Sequence, residues 1–231
     1  MSERRRKSID NSEHATDEAF QTAIQKLKLW RKKDSNQGVM DQILPGLYLG
    51  GLRATTDHRL MKQNQIQAMV SVLSTEVTGS VVPSNMHLHI PLDDMPGAPL
   101  YQYFSDAIRF IHEHRMENRN VLVHCLMGVS RSVTLVVAYL ITITDMPLDR
   151  AHEFVRSRRF FANPNFGFRE QLKRYSKKNR DEYRKLLESK FGRNFQELHA
   201  RDSVSIKTKP VNTQPQKEHG ANTSDFFVGL N

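Results

Sequence analysis

The sequence predicts an α/β fold, with a central, mostly parallel sheet of four to five strands flanked by helices. Three observations carry this. Short apolar runs of strand length recur at 66–73, 86–91 and 121–123. Stretches with apolar residues at helical spacing alternate with them, such as Leu100, Phe104, Ala107, Ile108 and Ile111. The apolar run at 121–123 also leads through a short loop straight into a second apolar stretch of helix length, a strand–loop–helix junction.

The 231 residues suit one good-sized domain with extensions. The boundaries read as an extension over 1–40, a folded domain over 41–192 and a disordered polar tail over 193–231. No apolar run reaches the ~18–20 residues needed to span a bilayer, and the start, Met-Ser-Glu-Arg-Arg-Arg-Lys, has no signal-peptide core. Residue 2 is Ser, so the Met-Gly start of N-myristoylation is absent. The single cysteine precludes an internal disulfide and fits a reducing compartment, the cytoplasm and also the nucleus. Net charge is +9, of which +3 falls in 1–40, +2 in 41–175 and +4 in 176–231. With the excess in the extensions and no nucleic-acid motif, no nucleic-acid partner is expected.

In the first extension, Thr16 caps an amphipathic helix over about 16–33. Acidic residues open it, Phe20, Ala23, Ile24, Leu27 and Trp30 form its stripe, and Arg31 to Lys33 close it. Residues 43–50 read as a bent edge strand with Pro45-Gly46 at the bend, and 54–63 as a short helix. Residues 66–73 are an interior strand. In the strand at 86–91, His87 and His89 share one polar face, with too few neighbours to suggest a metal site. A loop follows that holds Asp93 and Asp94. The helix from 100 to 116 turns its apolar stripe inward and Arg109, His112, Glu113 and Arg115 toward solvent. After the junction, 133–141 is a buried helix. Pro147 opens another that ends in Arg156, Arg158 and Arg159. The turn Asn163-Pro164-Asn165 precedes further helix to about 190, where Gly192 acts as a stop.

The junction carries the chemistry. In HCLMGVSRS, Cys125 ends the strand and Arg131 begins the helix. A loop there, turning at Gly128, aims successive amides at one point, and a helix N-terminus adds its dipole. That is an anion site, and its field favours the cysteine thiolate, the nucleophilic form. Arg131 supplies a planar fork for two phosphate oxygens. Displacing an alkoxide or phenoxide from phosphorus also needs a general acid. Asp93 and Asp94 lie on a loop 32 and 31 residues before Cys125.

HCLMGVSRS, with Ile-Pro-x-x-Asp before it and Pro-Asn-x-Gly-Phe-x-x-Gln-Leu after it, resembles the signature set of the dual-specificity phosphatases. These belong to the cysteine-based protein tyrosine phosphatase superfamily. The run HCLMGVSRSVTLVVAYL with ANPNFGF is most similar to the small atypical subgroup that includes the JNK-pathway-associated phosphatases. The resemblance covers roughly 42–192 and implies a protein tyrosine phosphatase-like fold, phosphotyrosine phosphatase II type. It implies hydrolysis of phosphotyrosine, and of phosphoserine and phosphothreonine, through a phosphocysteine. Cys125 is then the nucleophile, Arg131 the phosphate-binding residue, Asp94 the general acid and base, and Ser132 the stabiliser of the leaving thiolate. Leu126, Met127, Gly128, Val129 and Ser130 line the substrate phosphate, with His124 and Asn165 in support. Arg159, at a helix end near the mouth, is expected to take a second phosphate. No cofactor or metal is expected, since the loop and Arg131 provide the positive field. The implied partners are phosphoprotein substrates in signalling, MAP-kinase pathway components among them. Two rivals are a phosphatase of inositides or other non-protein esters, and a phosphate-binding adaptor without turnover. The loop lacks the lysines of the first, and the chain keeps the Cys, Arg and Asp that the second usually loses.

Overall fold

The computed structural model describes residues 40–77 and 80–207. The helix expected over 16–33 lies outside the described residues, as does the tail from 208 onward. Among the described residues, five strands form one sheet in the order β1-β2-β5-β3-β4. They are β1 (Met40–Leu44), β2 (Leu47–Gly51), β3 (Ile66–Val72), β4 (His87–Ile90) and β5 (Asn120–Cys125). Residues 43–50 are therefore not one bent edge strand. Pro45-Gly46 turns the chain back on itself, with Gly46 at φ +78°, so β1 pairs antiparallel with β2. Of these two strands β1 alone is an edge, because β2 lies against β5.

The other four strands run parallel. Their carboxyl ends, at Gly51, Cys125, Val72 and Ile90, therefore share one side of the sheet, where ligands of open α/β sheets bind. Side chains alternate between the two faces. Val121 and Val123 of β5 join the larger core with Leu47, Leu49 and Val70. Leu122 faces the other way, in a smaller core with Tyr48, Met69, Ala54 and Met61. Ala54 belongs to α1 (Leu52–Thr56) and Met61 to α2 (His58–Gln63). The single helix expected over 54–63 is broken because Asp57 Oδ1 accepts from Leu60 N–H at 2.9 Å and starts a new helix.

Against the larger core lie α3 (Phe104–Met116), α4 (Arg131–Ile143), α5 (Leu148–Arg158), α6 (Phe166–Lys178), α7 (Arg180–Phe191) and α8 (Arg193–Lys207). Every residue of α4 is buried, and α3, α5, α6 and α7 pack around it. Its threonines are tolerated there because each hydroxyl has a partner. Thr134 donates to Ser130 O at 2.8 Å and Thr142 to Ala138 O at 2.7 Å. No helix among the described residues is long and apolar enough to cross a membrane.

Two further expectations need correction. The tail does not begin at 193, since α8 runs to Lys207 with Phe195, Leu198 and Asp202 buried at helical spacing. Nor do His112 and Arg115 face solvent. Arg115 grips Asp202 of α8 with two bonds, of 2.7 and 2.9 Å, and both side chains are fully buried. It also donates to Tyr139 Oη and to Pro45 O, each at 2.8 Å. Burial works against the guanidinium's charge, but Tyr139 and Asp202 outweigh it, so the Arg115 pKa is raised. Beside it, burial first and Arg115 second push His112 down to about 3, which keeps it neutral.

Candidate active site

The loop between β5 and α4 is held from outside by its carbonyls. Cys125 O accepts from His124 Nδ1 at 3.3 Å, and Leu126 O from Leu52 N at 3.0 Å. Arg159 donates to Met127 O through Nη2 at 3.1 Å and to Gly128 O through Nε at 2.7 Å. Val129 O accepts from Asn163 N at 2.8 Å, and Ser130 O from Thr134 N at 2.9 Å. A trans peptide points its N–H opposite its C=O. The six amides of 126–131 are thereby turned inward, and one is seen to arrive, with Gly128 N 3.2 Å from Cys125 Sγ. Gly128 is obligatory. Its φ is +67°, and a Cβ would overlap the carbonyl of Gly50 and stand 2.7 Å from Arg159 Nη2.

Cys125 Sγ lies at the floor of this concavity, only 1% exposed, and Ser132 Oγ donates to it at 3.2 Å. The Arg131 side chain is pinned by Nη1 to Leu92 O at 3.0 Å. Its Nε has no hydrogen-bond partner among the described residues and stands 3.6 Å from Asp94 Oδ2. Asp94 Oδ1 accepts from Ser130 Oγ at 2.7 Å and from Asn165 Nδ2 at 2.8 Å. Asn165 also donates its backbone N–H to Ser130 Oγ at 3.0 Å and caps α6 by accepting from Phe168 N at 2.9 Å. One residue thus ties the acidic loop, the phosphate loop and a helix start together. Asp93, the neighbouring carboxylate, is exposed. Leu126 and Met127 stand at the mouth, 52% and 49% exposed.

The second-phosphate expectation for Arg159 is overturned. The guanidinium is 4% exposed, and besides the two carbonyls it pairs with Asp41 Oδ2 at 2.6 Å. It lies behind the phosphate loop and acts on the loop's shape. Sequence reasoning also missed Asp41, Leu52 and Asn163 as supports of the loop, and Ser71, which sits 2.5 Å from His124 Nε2. Ser71 did leave a signal, as the one hydroxyl within the apolar stretch 68–73.

A buried thiol that accepts from a loop amide and a serine hydroxyl, with an arginine and a carboxylate beside it, is the arrangement a cysteine-dependent phosphatase needs. Comparison with known proteins makes the class specific. Residues 47–178 match the family model for the dual specificity phosphatase catalytic domain. Mouse dual specificity protein phosphatase 22 is 41% identical over 155 residues, covering 67% of this chain and 83% of the relative. Mouse dual specificity protein phosphatase 15 is 34% identical over 168 residues, covering 73% and 69%. A crystal structure of DUSP15 matches with a TM-score of 0.63 at 35% identity, covering 66% of this chain and 97% of that one. The chain belongs to the dual-specificity phosphatase family, on the atypical branch of the protein tyrosine phosphatase superfamily, and is a protein phosphatase.

Proposed function

We propose that Cys125, Arg131, Asp94 and Ser132 carry a two-step hydrolysis of phosphate monoesters on protein side chains. The Cys125 thiolate attacks phosphorus, an S–P bond forms and the ester P–O bond breaks. Asp94 gives its proton to the leaving oxygen. The inward amides of 126–131 and the Arg131 guanidinium hold the three equatorial oxygens, where charge gathers in the transition state. Asp94 then takes a proton from water as the water oxygen bonds phosphorus and the S–P bond breaks. Ser132 donates to the departing thiolate. The observation that carries this reading is the set of carbonyl bonds behind the loop, which orients the amides around Sγ.

Phosphotyrosine is the substrate that best suits the mouth. Its ring would meet Leu126 and Met127, the exposed apolar side chains that follow the nucleophile. The substrates are proposed to be signalling phosphoproteins of the cytoplasm and nucleus, MAP-kinase pathway components among them. The single cysteine and the resemblance of HCLMGVSRS support this. Rapid-quench mass spectrometry with p-nitrophenyl phosphate tests the mechanism. A phosphate adduct on Cys125 should appear in the wild type, and Cys125→Ser should show neither adduct nor turnover. Turnover by Cys125→Ser would refute the assignment.

A further inference from the structure

Behind the nucleophile, three polar side chains form a chain that the catalytic scheme does not use. His124 is fully buried on β5, next to Cys125. Its Nε2 lies 2.5 Å from Ser71 Oγ on β3, and Ser71 Oγ lies 2.7 Å from Nε2 of half-buried His87 on β4. The strand register aligns Ser71 with His124 in β5 and with His89 in β4, and His87, two residues before His89, shares its face of the sheet.

The direction of each bond follows from counting protons. The Cys125 carbonyl can only accept, so His124 Nδ1, 3.3 Å away, carries a hydrogen. Burial above all holds the His124 pKa down to about 4, so the ring is neutral near pH 7 and Nε2 is bare. A bare Nε2 must accept, and Ser71 therefore donates to it. Having spent its one hydrogen, Ser71 Oγ must accept from His87, whose Nε2 carries a hydrogen.

We infer that Ser71 and His87 are positioning residues for the phosphatase reaction. They fix His124 as the Nδ1–H tautomer, which holds the Cys125 carbonyl outward and thereby turns the Leu126 amide into the phosphate cradle. The inference rests on the proposed role of Cys125 and the loop. It extends the loop's support through the sheet, by way of the strand on each side of Ser71.

The tautomer is directly observable. In ¹⁵N ring spectra of the wild type near pH 7, His124 should show a protonated Nδ1 and a bare Nε2, and His87 a protonated Nε2. A protonated Nε2 on His124 overturns the inference. That readout needs no catalysis, so it stands apart from failure of the Cys125 assignment. In steady-state assays with an aryl phosphate, Ser71→Ala should lower kcat by about tenfold, the scale of one neutral hydrogen bond, with KM little changed. His87→Ala should do likewise, while His87→Gln, which keeps an N–H donor, should recover most of the rate. If Ser71→Ala does not fold, the His87 pair and the wild-type spectrum still decide. Wild-type kcat in His87→Ala, or an equal loss in His87→Gln, would overturn the inference.

Discussion

Arg159→Ala separates a residue that shapes the loop from one that binds substrate. The change removes two charge-assisted bonds, to Gly128 O at 2.7 Å and Met127 O at 3.1 Å. It also removes the Arg159 ion pair of Asp41. Hydrogen bonds to charged groups contribute roughly 1.5–3 kcal/mol each. Asp41, with a side chain 28% exposed, regains water. We therefore expect a stability loss near the size of the two carbonyl bonds, about 3–5 kcal/mol. The amides of Gly128 and Val129 share peptide planes with those carbonyls and become free to tilt. Deleting one preorganised donor at an oxyanion costs about 10²–10³ in rate. Tilting is milder than deletion, so kcat should fall by about 10²-fold. Because the defect lies in the cradle, an aryl phosphate, a singly phosphorylated peptide and a doubly phosphorylated peptide should lose equally. Arg159→Lys should not restore the rate, since an ammonium cannot bridge both carbonyls as the planar fork does. The measurements are kcat and KM on the three substrates, with urea unfolding in parallel. A variant that keeps its kcat on the aryl phosphate and loses only on the doubly phosphorylated peptide would refute the reasoning.

Asp94→Asn should lose about 10²–10⁴ in kcat on an ester of high leaving-group pKa, and exposed Asp93→Asn should stay within about threefold by the same general-acid scale; the reverse order would reassign the acid. Asp202→Ala leaves Arg115 buried and unpaired, which should cost about 3–5 kcal/mol in urea unfolding while the active site of any folded fraction keeps its kcat. Acid should destabilise the protein through its buried histidines. His112 and His124 have folded pKa values lowered from 6.5 to about 3 and about 4, so the unfolded chain binds their protons first. Stability is full above about pH 6.5 and is lost as pH falls toward those values, by roughly 2–3 kcal/mol per histidine at pH 4.5. His112 and His124 ring signals that titrate near 6.5 in the folded protein would contradict this. Prolonged peroxide without added thiol should carry Cys125 to sulfinic or sulfonic acid, because the chain has no second cysteine to close a disulfide. A disulfide-linked dimer as the main product by intact mass would contradict the recessed sulfur.

The parts of the site that lie on one short string were legible. Strand, nucleophile, glycine, arginine and helix follow one another within 121–141, and local pattern suffices to read them. Distance from Cys125 narrowed the acid to Asp93 or Asp94, and the resemblance, through Ile-Pro-x-x-Asp, pointed to Asp94. What escaped were the partners joined only by folding. Arg159 and Asp41 are 118 residues apart, and Arg115 and Asp202 are 87 apart. Helical periodicity marks apolar stripes, so a charged residue off the stripe reads as solvated. Its burial depends on a carboxylate that no local window contains. The same blindness shortened the folded region. Phe195 and Leu198 were spaced for a helix, but the third inward position is Asp202, which looks like surface until Arg115 is placed opposite it.

The anchoring of the phosphate loop by its carbonyls has an evolutionary consequence. Donors on His124, Leu52, Arg159, Asn163 and Thr134 fix the backbone, each through a loop carbonyl, while the side chains of Leu126 and Met127 stand about half exposed. Those two positions are then free to drift without disturbing the chemistry beneath them. A lineage could retune which phosphoproteins it accepts by single changes at 126 and 127, each viable on its own. A library randomised at the same two positions should return mostly active enzymes with altered preferences, whereas one randomised at 128 or 159 should return mostly dead ones.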